Sequence, residues 1–113
     1  MDVLHAMDAD AQISIKEIRV DGGATVNNLL MQFQSDVLNC KVVRPKITET
    51  TALGAAYLAG LAVQFWKDIP EIEQYWQEEQ TFTPLMENVH RQKRIAKWHT
   101  AIKAAQVWMP QEQ

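Results

Sequence analysis

The run Val20-Asp21-Gly22-Gly23-Ala24-Thr25-Val26-Asn27-Asn28 constrains the fold of this chain more than any other. A β-like run, Ile15 to Val20, leads into it, and a helix-like run, Leu29 to Leu38, leaves it. Adjacent glycines between a strand and a helix imply a sharp turn. Without Cβ they reach backbone angles closed to other residues and let a ligand approach the main chain. The helix beyond them points unpaired N–H groups and the positive end of its dipole back at the turn, which suits a phosphate. The pattern is neither G-x-G-x-x-G nor a Walker A loop, and no Lys follows the glycines. Taken alone, such a turn is more often structural than a phosphate site.

The rest of the chain is ordered around that turn. Val3, Leu4, Ala6 and Met7 group as on a helix over residues 2–7, and residues 8–12 read as a polar break. Ile13, Ile15, Ile18 and Val20 supply β-branched residues for the first strand. The first long helix starts near Val26 or Asn27, with Leu30, Phe33 and Val37 as its inward face and Leu29 and Met31 beside it. A second strand, Cys40 to Arg44, stops at Pro45. A second helix begins around Thr48 to Thr51. Its body holds Gly54, Ala55, Ala56, Ala59, Gly60 and Ala62, is apolar on nearly every side, and is expected to be buried. Asp68-Ile69-Pro70-Glu71 reads as a cap and helix start, with the helix reaching Trp76. Residues 77–83 are extended or loop, and Thr83-Pro84 starts a last helix to Trp108 whose stripe is Ile95, Trp98, Ile102, Ala105 and Met109. Strand–helix–strand with a crossover implies a parallel pair. The reading is α/β, with two parallel strands, buried helices and a helical C-terminal tail. Two strands are too few for a stable α/β domain, so partners are expected.

Composition excludes several classes. With 113 residues, 47% apolar and 22% charged, the chain is expected to form one ordinary globular domain that buries roughly two-thirds of its unfolded surface. The formal net charge of −3 gives no general attraction to nucleic acid or an anionic membrane. A single cysteine, Cys40, fits a reducing cytoplasm, and the N-terminus does not read as a signal peptide. Residues 52–63 are too few to span a bilayer. The cluster His90, Arg91, Lys93, Arg94, Lys97, His99 and Lys103 reads as a solvated helix face, and neither the histidines nor Cys40 has metal-site spacing. Asp21 either stabilises the turn or orients a metal-bound water. Arg44 either pairs with a carboxylate or simply ends its strand. Thr50 and Thr51 read as structural.

Two stretches carry a family resemblance: IRVDGGATVNNLLMQFQSD from Ile18 and VVRPKITETTALGAAYLAGLAVQFW from Val42. They resemble the carboxy-terminal end of the FGGY carbohydrate kinases, in the actin-like ATPase superfamily, and their wording is that of the glycerol kinases. The resemblance runs from Asp2 to Trp108, is densest from Ile18 to Trp66, and covers the final quarter or less of such a kinase. It implies an incomplete ribonuclease H-like (actin-like ATPase) domain. Residues 1–66 would be its strand-helix-strand-helix nucleotide-side core and residues 67–113 a helical tail. It implies ATP or ADP with Mg2+ as the nucleotide, bound by Gly22, Gly23 and Asn27. Asn27 would meet the purine or ribose, or act as a helix cap, or both. The implied reaction is glycerol plus ATP to glycerol 3-phosphate plus ADP. The aspartate base and the glycerol-binding residues lie upstream in the family, so no catalytic residue is carried onto this chain and the isolated chain is expected to be inactive. The remainder of the kinase, or a second copy, is the implied protein partner. A non-catalytic self-association module and a kinase of another polyol or sugar are the alternatives.

Overall fold

The computed structural model describes residues 1–107. The elements run α1 (Asp2–Ala11), β1 (Glu17–Arg19), a 3-10 turn (Gly23–Val26), α2 (Asn28–Leu38), β2 (Lys41–Pro45), α3 (Thr50–Ala62), α4 (Ile69–Glu73), β3 (Glu78–Phe82) and α5 (Asn88–Val107). Trp108, Met109 and Pro110 lie outside the described residues. The fold is α/β with a small mixed sheet.

Strand β2 is the centre of that sheet. It pairs parallel with β1, Ile18 opposite Val42, and antiparallel with β3, Val42 opposite Phe82. The expectation of two parallel strands is corrected here: there are three strands in the order β1-β2-β3, and the third runs antiparallel. The extended reading of residues 77–83 holds the missing strand. Glu78-Glu79-Gln80-Thr81 offers little apolar alternation, so local pattern did not mark it as a strand. The neighbouring Val42–Val43 ladder makes it one. The helical tail is therefore interrupted by a strand that joins the same sheet as residues 41–45.

Val42 and Val43 point to opposite faces and are 1% and 2% exposed, so β2 is covered on both sides. The small core is Met31, Val42 and Phe82, with Val20 packed at its edge. Met31 and Ser35, not Leu30 and Phe33, are the buried positions of α2, and the expected inward face is rotated accordingly. The rotation follows from polar anchoring. Ser35 Oγ reaches the carbonyls of Cys40 and Phe82 at 2.8 and 3.1 Å, which turns that face onto the sheet.

Other boundaries shift for local reasons. Helix α1 continues through the expected polar break and ends where Gln12 adopts a left-handed conformation, φ 54°. Helix α2 ends the same way at Asn39, φ 55°. Asp68 caps α4 through Glu71 N at 3.0 Å with Pro70 in its first turn, and the helix stops at Glu73 rather than Trp76. Helix α5 starts at Asn88, not at Pro84. The amides of Leu85 and Met86 donate to Asp36 Oδ1 at 2.6 and 3.1 Å, which holds that stretch outside the helix. Helix α3 is the largest departure. Only Gly60 in it is buried, and Leu58 is 71% exposed. Its all-round apolar pattern is that of a covered helix, but among the described residues the cover is partial: Trp66 folds over Gly60, and Leu53 and Tyr57 line a hollow shared with Ile47, Tyr75 and Trp76.

Candidate functional site

The glycine turn leaves the carboxyl end of β1. Gly22 sits at φ 87°, a conformation that favours glycine. Its N–H donates to Thr48 O at 2.8 Å, while its own carbonyl accepts from Thr25 N at 3.1 Å and Thr25 Oγ1 at 2.7 Å. Thr25 is buried and closes the turn on itself. Asp21 accepts from the Thr50 hydroxyl, so the turn is also tied to the first residue of α3. Among the described residues, the N–H groups of Gly23 and Ala24 donate to no protein acceptor. A Cβ built on Gly23 would meet nothing within 4 Å, so the space beside Gly23 is open.

Asn27 is the N-cap of α2. Its Oδ1 accepts from Leu30 N at 3.1 Å, and its backbone N–H donates to Ala24 O at 3.2 Å. The capping role is therefore present in the structure. It uses the side-chain oxygen and leaves the Nδ2 donor for other partners. The turn brings Gly22, Gly23 and Asn27 into one short loop at the start of α2.

The sequence offers Arg44 only as a carboxylate partner or a strand end, and its place is more central. It is 5% exposed. Its Nη1 donates to Thr25 O at 2.7 Å and Asn28 Oδ1 at 2.9 Å, its Nε to Glu79 Oε2 at 2.9 Å, and its Nη2 to Gln80 Oε1 at 3.0 Å. Consecutive strand residues normally face opposite sides of a sheet. A register irregularity between Arg44 and Pro45, opposite Gln80 and Glu78, lets Glu79 and Gln80 both reach the guanidinium. The signal in the sequence was a charged residue closing an apolar Val-Val strand. Nothing local named Thr25, Glu79 or Gln80.

The basic face of α5 needs one correction. Arg91 is buried, not solvated. It donates to Asp36 O at 2.6 Å, Met86 O at 2.8 Å and Asn88 Oδ1 at 3.3 Å, and so fastens α5 to α2. Among the described residues, no group of three or more His, Cys, Asp or Glu is placed to hold a metal ion, and no helix is long and apolar enough to cross a membrane.

A strand-turn-helix of this kind occurs in many folds, and comparison with known proteins decides which one this is. The C-terminal domain of the FGGY family of carbohydrate kinases matches residues 1–63. The chain belongs to the FGGY carbohydrate kinases. Similar proteins include a glycerol kinase of Chromobacterium violaceum, 61% identical over 107 residues, which is 95% of this chain and 21% of that protein. A glycerol kinase of Herminiimonas arsenicoxydans is 57% identical over 108 residues, or 96% of this chain and 22% of that protein. The chain thus spans about a fifth of the length of these relatives. Among solved structures, Plasmodium falciparum glycerol kinase with ADP superposes with a TM-score of 0.77 at 33% identity, over 90% of this chain and 21% of that one. A ligand-bound xylulose kinase from Lactobacillus acidophilus superposes with a TM-score of 0.64 at 22% identity, over 81% of this chain and 19% of that one, a likeness of fold alone. The FGGY match ends at residue 63, yet two of the groups that hold Arg44, Glu79 and Gln80, lie beyond it.

Proposed function

We propose that this chain is the nucleotide-side, C-terminal portion of an ATP-dependent glycerol kinase, an incomplete ribonuclease H-like domain of the actin-like ATPase type. The observation that carries the reading is the turn itself. Two adjacent unpaired N–H groups at Gly23 and Ala24 lie ahead of a capped helix, in a chain whose relatives are glycerol kinases. Backbone N–H groups at a helix start suit a nucleotide phosphate. Gly22 provides the turn's geometry, Gly23 its open approach, and Asn27 offers Nδ2 to ribose or base while its Oδ1 keeps the cap. Mg2+ would accompany the ATP phosphates, and this chain's residues act on the nucleotide rather than on the metal. Residues 1–66 form the nucleotide-side core in this reading and residues 67–113 a tail that braces it, in a cytoplasmic enzyme. The whole protein would transfer the terminal phosphoryl group of ATP to glycerol, with the base and the glycerol site outside this segment.

Titrating the purified chain with magnesium-ADP and following its backbone amides by NMR tests this directly. Selective shifts over residues 21–30, centred on Gly23 and Ala24, support the reading. Dispersed spectra that magnesium-ADP leaves unchanged overturn nucleotide binding by this chain. Glycerol-dependent ADP release from the chain alone would overturn the expectation that it is inactive by itself.

A second reading, association with a complementary surface, is favoured by a specific observation. Among the described residues strand β1 is unpaired on one edge, and a nearby hollow is lined by Leu4, Ile18, Val20, Met31, Leu38 and Val42. That edge suits further strands, from the remainder of a kinase or from a second copy.

A further inference from the structure

We propose that Arg44 is a positioning residue: its guanidinium fixes the glycine turn and the first turn of α2 to strand β3, and so presets the Gly23 and Ala24 amides for a nucleotide phosphate. The binding part of this inference rests on the nucleotide reading above; the positioning part does not.

The geometry separates two halves of the guanidinium. Nε and Nη2 hold Glu79 and Gln80 of β3. Nη1 holds Thr25 O and Asn28 Oδ1, the residues two before and one after Asn27. An arginine that merely joined two strands would need only the first pair. The second pair grips the turn on both sides of the α2 cap. Thr25 transmits the grip, because its N–H and its hydroxyl both close on Gly22 O. From the other side Thr48 O holds Gly22 N. The turn is clamped at Gly22, Thr25 and Asn28, and the two amides between the first two clamps stay free for a ligand.

Only arginine meets all four acceptors at once. Its planar fork carries five donors in fixed directions, whereas lysine presents a compact ammonium. A buried guanidinium with its acceptors in place holds firmly, and of the four acceptors Thr25 O lies on a buried residue and would be left unsatisfied without it. The consequence is unexpected from the family match alone: residues 78–82, beyond that match, help set the shape of the turn at residues 22–25.

The test compares the whole chain with Arg44→Lys and Glu79→Gln, first without ligand. Amide exchange at Thr25 and Asn27 reports the turn, and exchange at Val42, Val43 and Thr81 reports the ladder. In Arg44→Lys the turn amides are expected to exchange about tenfold faster relative to the ladder amides. Magnesium-ADP is expected to bind about tenfold more weakly, with shifts at Gly23 and Ala24 reduced. A loosening shared equally by turn and ladder would make Arg44 an ordinary fold contact and overturn the proposal. So would wild-type exchange at Thr25, or undiminished ADP affinity in a variant whose turn is loosened. If the unsubstituted chain binds no ADP while Arg44→Lys still loosens the turn selectively, the nucleotide reading fails and the positioning of the turn stands. Should Arg44→Lys not fold, Glu79→Gln carries the test. Its side chain is half-exposed and removes one acceptor's charge, so selective but smaller loosening supports the proposal and an unchanged turn overturns it.

Discussion

Asp36 shows how one side chain decides the placement of two elements. Its carboxylate accepts from Leu85 N, Met86 N and Gln32 Nε2, and its carbonyl accepts from Arg91. Partial burial pushes its pKa up, but the hydrogen bonds from Leu85, Gln32 and Met86, with Arg91 nearby, outweigh that and hold it below the ordinary value of 3.8. A carboxylate with a depressed folded pKa stabilises the fold fully above its unfolded value. That contribution is lost as pH falls through the lower folded value. Urea unfolding midpoints should therefore hold to about pH 4 and fall steeply below it, and Asp36→Asn should flatten that acid limb. An acid limb of equal depth in Asp36→Asn would show that other carboxylates carry it. Arg91→Ala leaves the Asp36 and Met86 carbonyls without their donor and should cost about 1–3 kcal/mol. The same denaturant curves read that loss. Neither residue could be singled out by inspecting the sequence, because the partners that join α2 to the start of α5 lie about fifty positions away. Asn27 differs: its cap is a contact of three residues' span, and it was legible as a cap from the outset.

At the scale of elements, helix α3 shows the difference between pattern and environment. Its small, apolar residues form the expected helix but leave most of it exposed, since periodicity reports what a face prefers and not what covers it. Its two glycines separate cleanly. A Cβ at Gly54 meets nothing within 4 Å, so Gly54→Ala should raise the stability of this chain by about 0.5–1 kcal/mol through helix propensity. A Cβ at Gly60 collides with Cε3 and Cζ3 of Trp66, a ring also packed edge-on against Tyr57 and Phe65 at 5.2 and 4.8 Å between centroids. Gly60→Ala should displace that ring, moving the Trp66 indole N–H resonance and cancelling the propensity gain. An unmoved indole resonance would show that the helix gives way instead. Strand β3 is the opposite case: it has no strand pattern of its own, and its pairing with β2 creates it.

The whole molecule is far more open than its length predicts. Its accessible surface is 9049 Å², against about 6,300 Å² for a folded monomer of 12.9 kDa. Its radius of gyration is 18.7 Å, against about 13 Å for a compact chain of this length. The expectation that two-thirds of the unfolded surface would be buried is thus corrected to about half. Helices α1 and α3 are held by few polar ties: Trp98 Nε1 and His99 Nε2 of α5 bond Asp2 of α1 at 2.9 and 3.0 Å, and the Thr50 hydroxyl of α3 donates to Asp21. The excess area exceeds what each partner of a standard protein interface buries, about 800 Å². The chain should accordingly sediment as an oligomer at micromolar concentration, and should become smaller and monodisperse when a fragment supplying the remaining strands of an FGGY kinase is added. A monomer at all concentrations, with or without that fragment, would remove the association reading.

The sequence by itself determined the family, the strand–glycine turn–helix and the cap at Asn27, because each is written in residues close together along the chain, and the parallel β1–β2 pair, because a helical crossover between two strands imposes that direction. Only the tertiary structure decided that β3 joins the sheet antiparallel, that Met31 and Ser35 rather than Leu30 and Phe33 face inward, and that Arg44 holds the turn. Those outcomes depend on groups 16 to 47 residues apart. Their energies come from satisfying buried donors and acceptors across the fold, and no local pattern of polarity encodes which distant partner will do so.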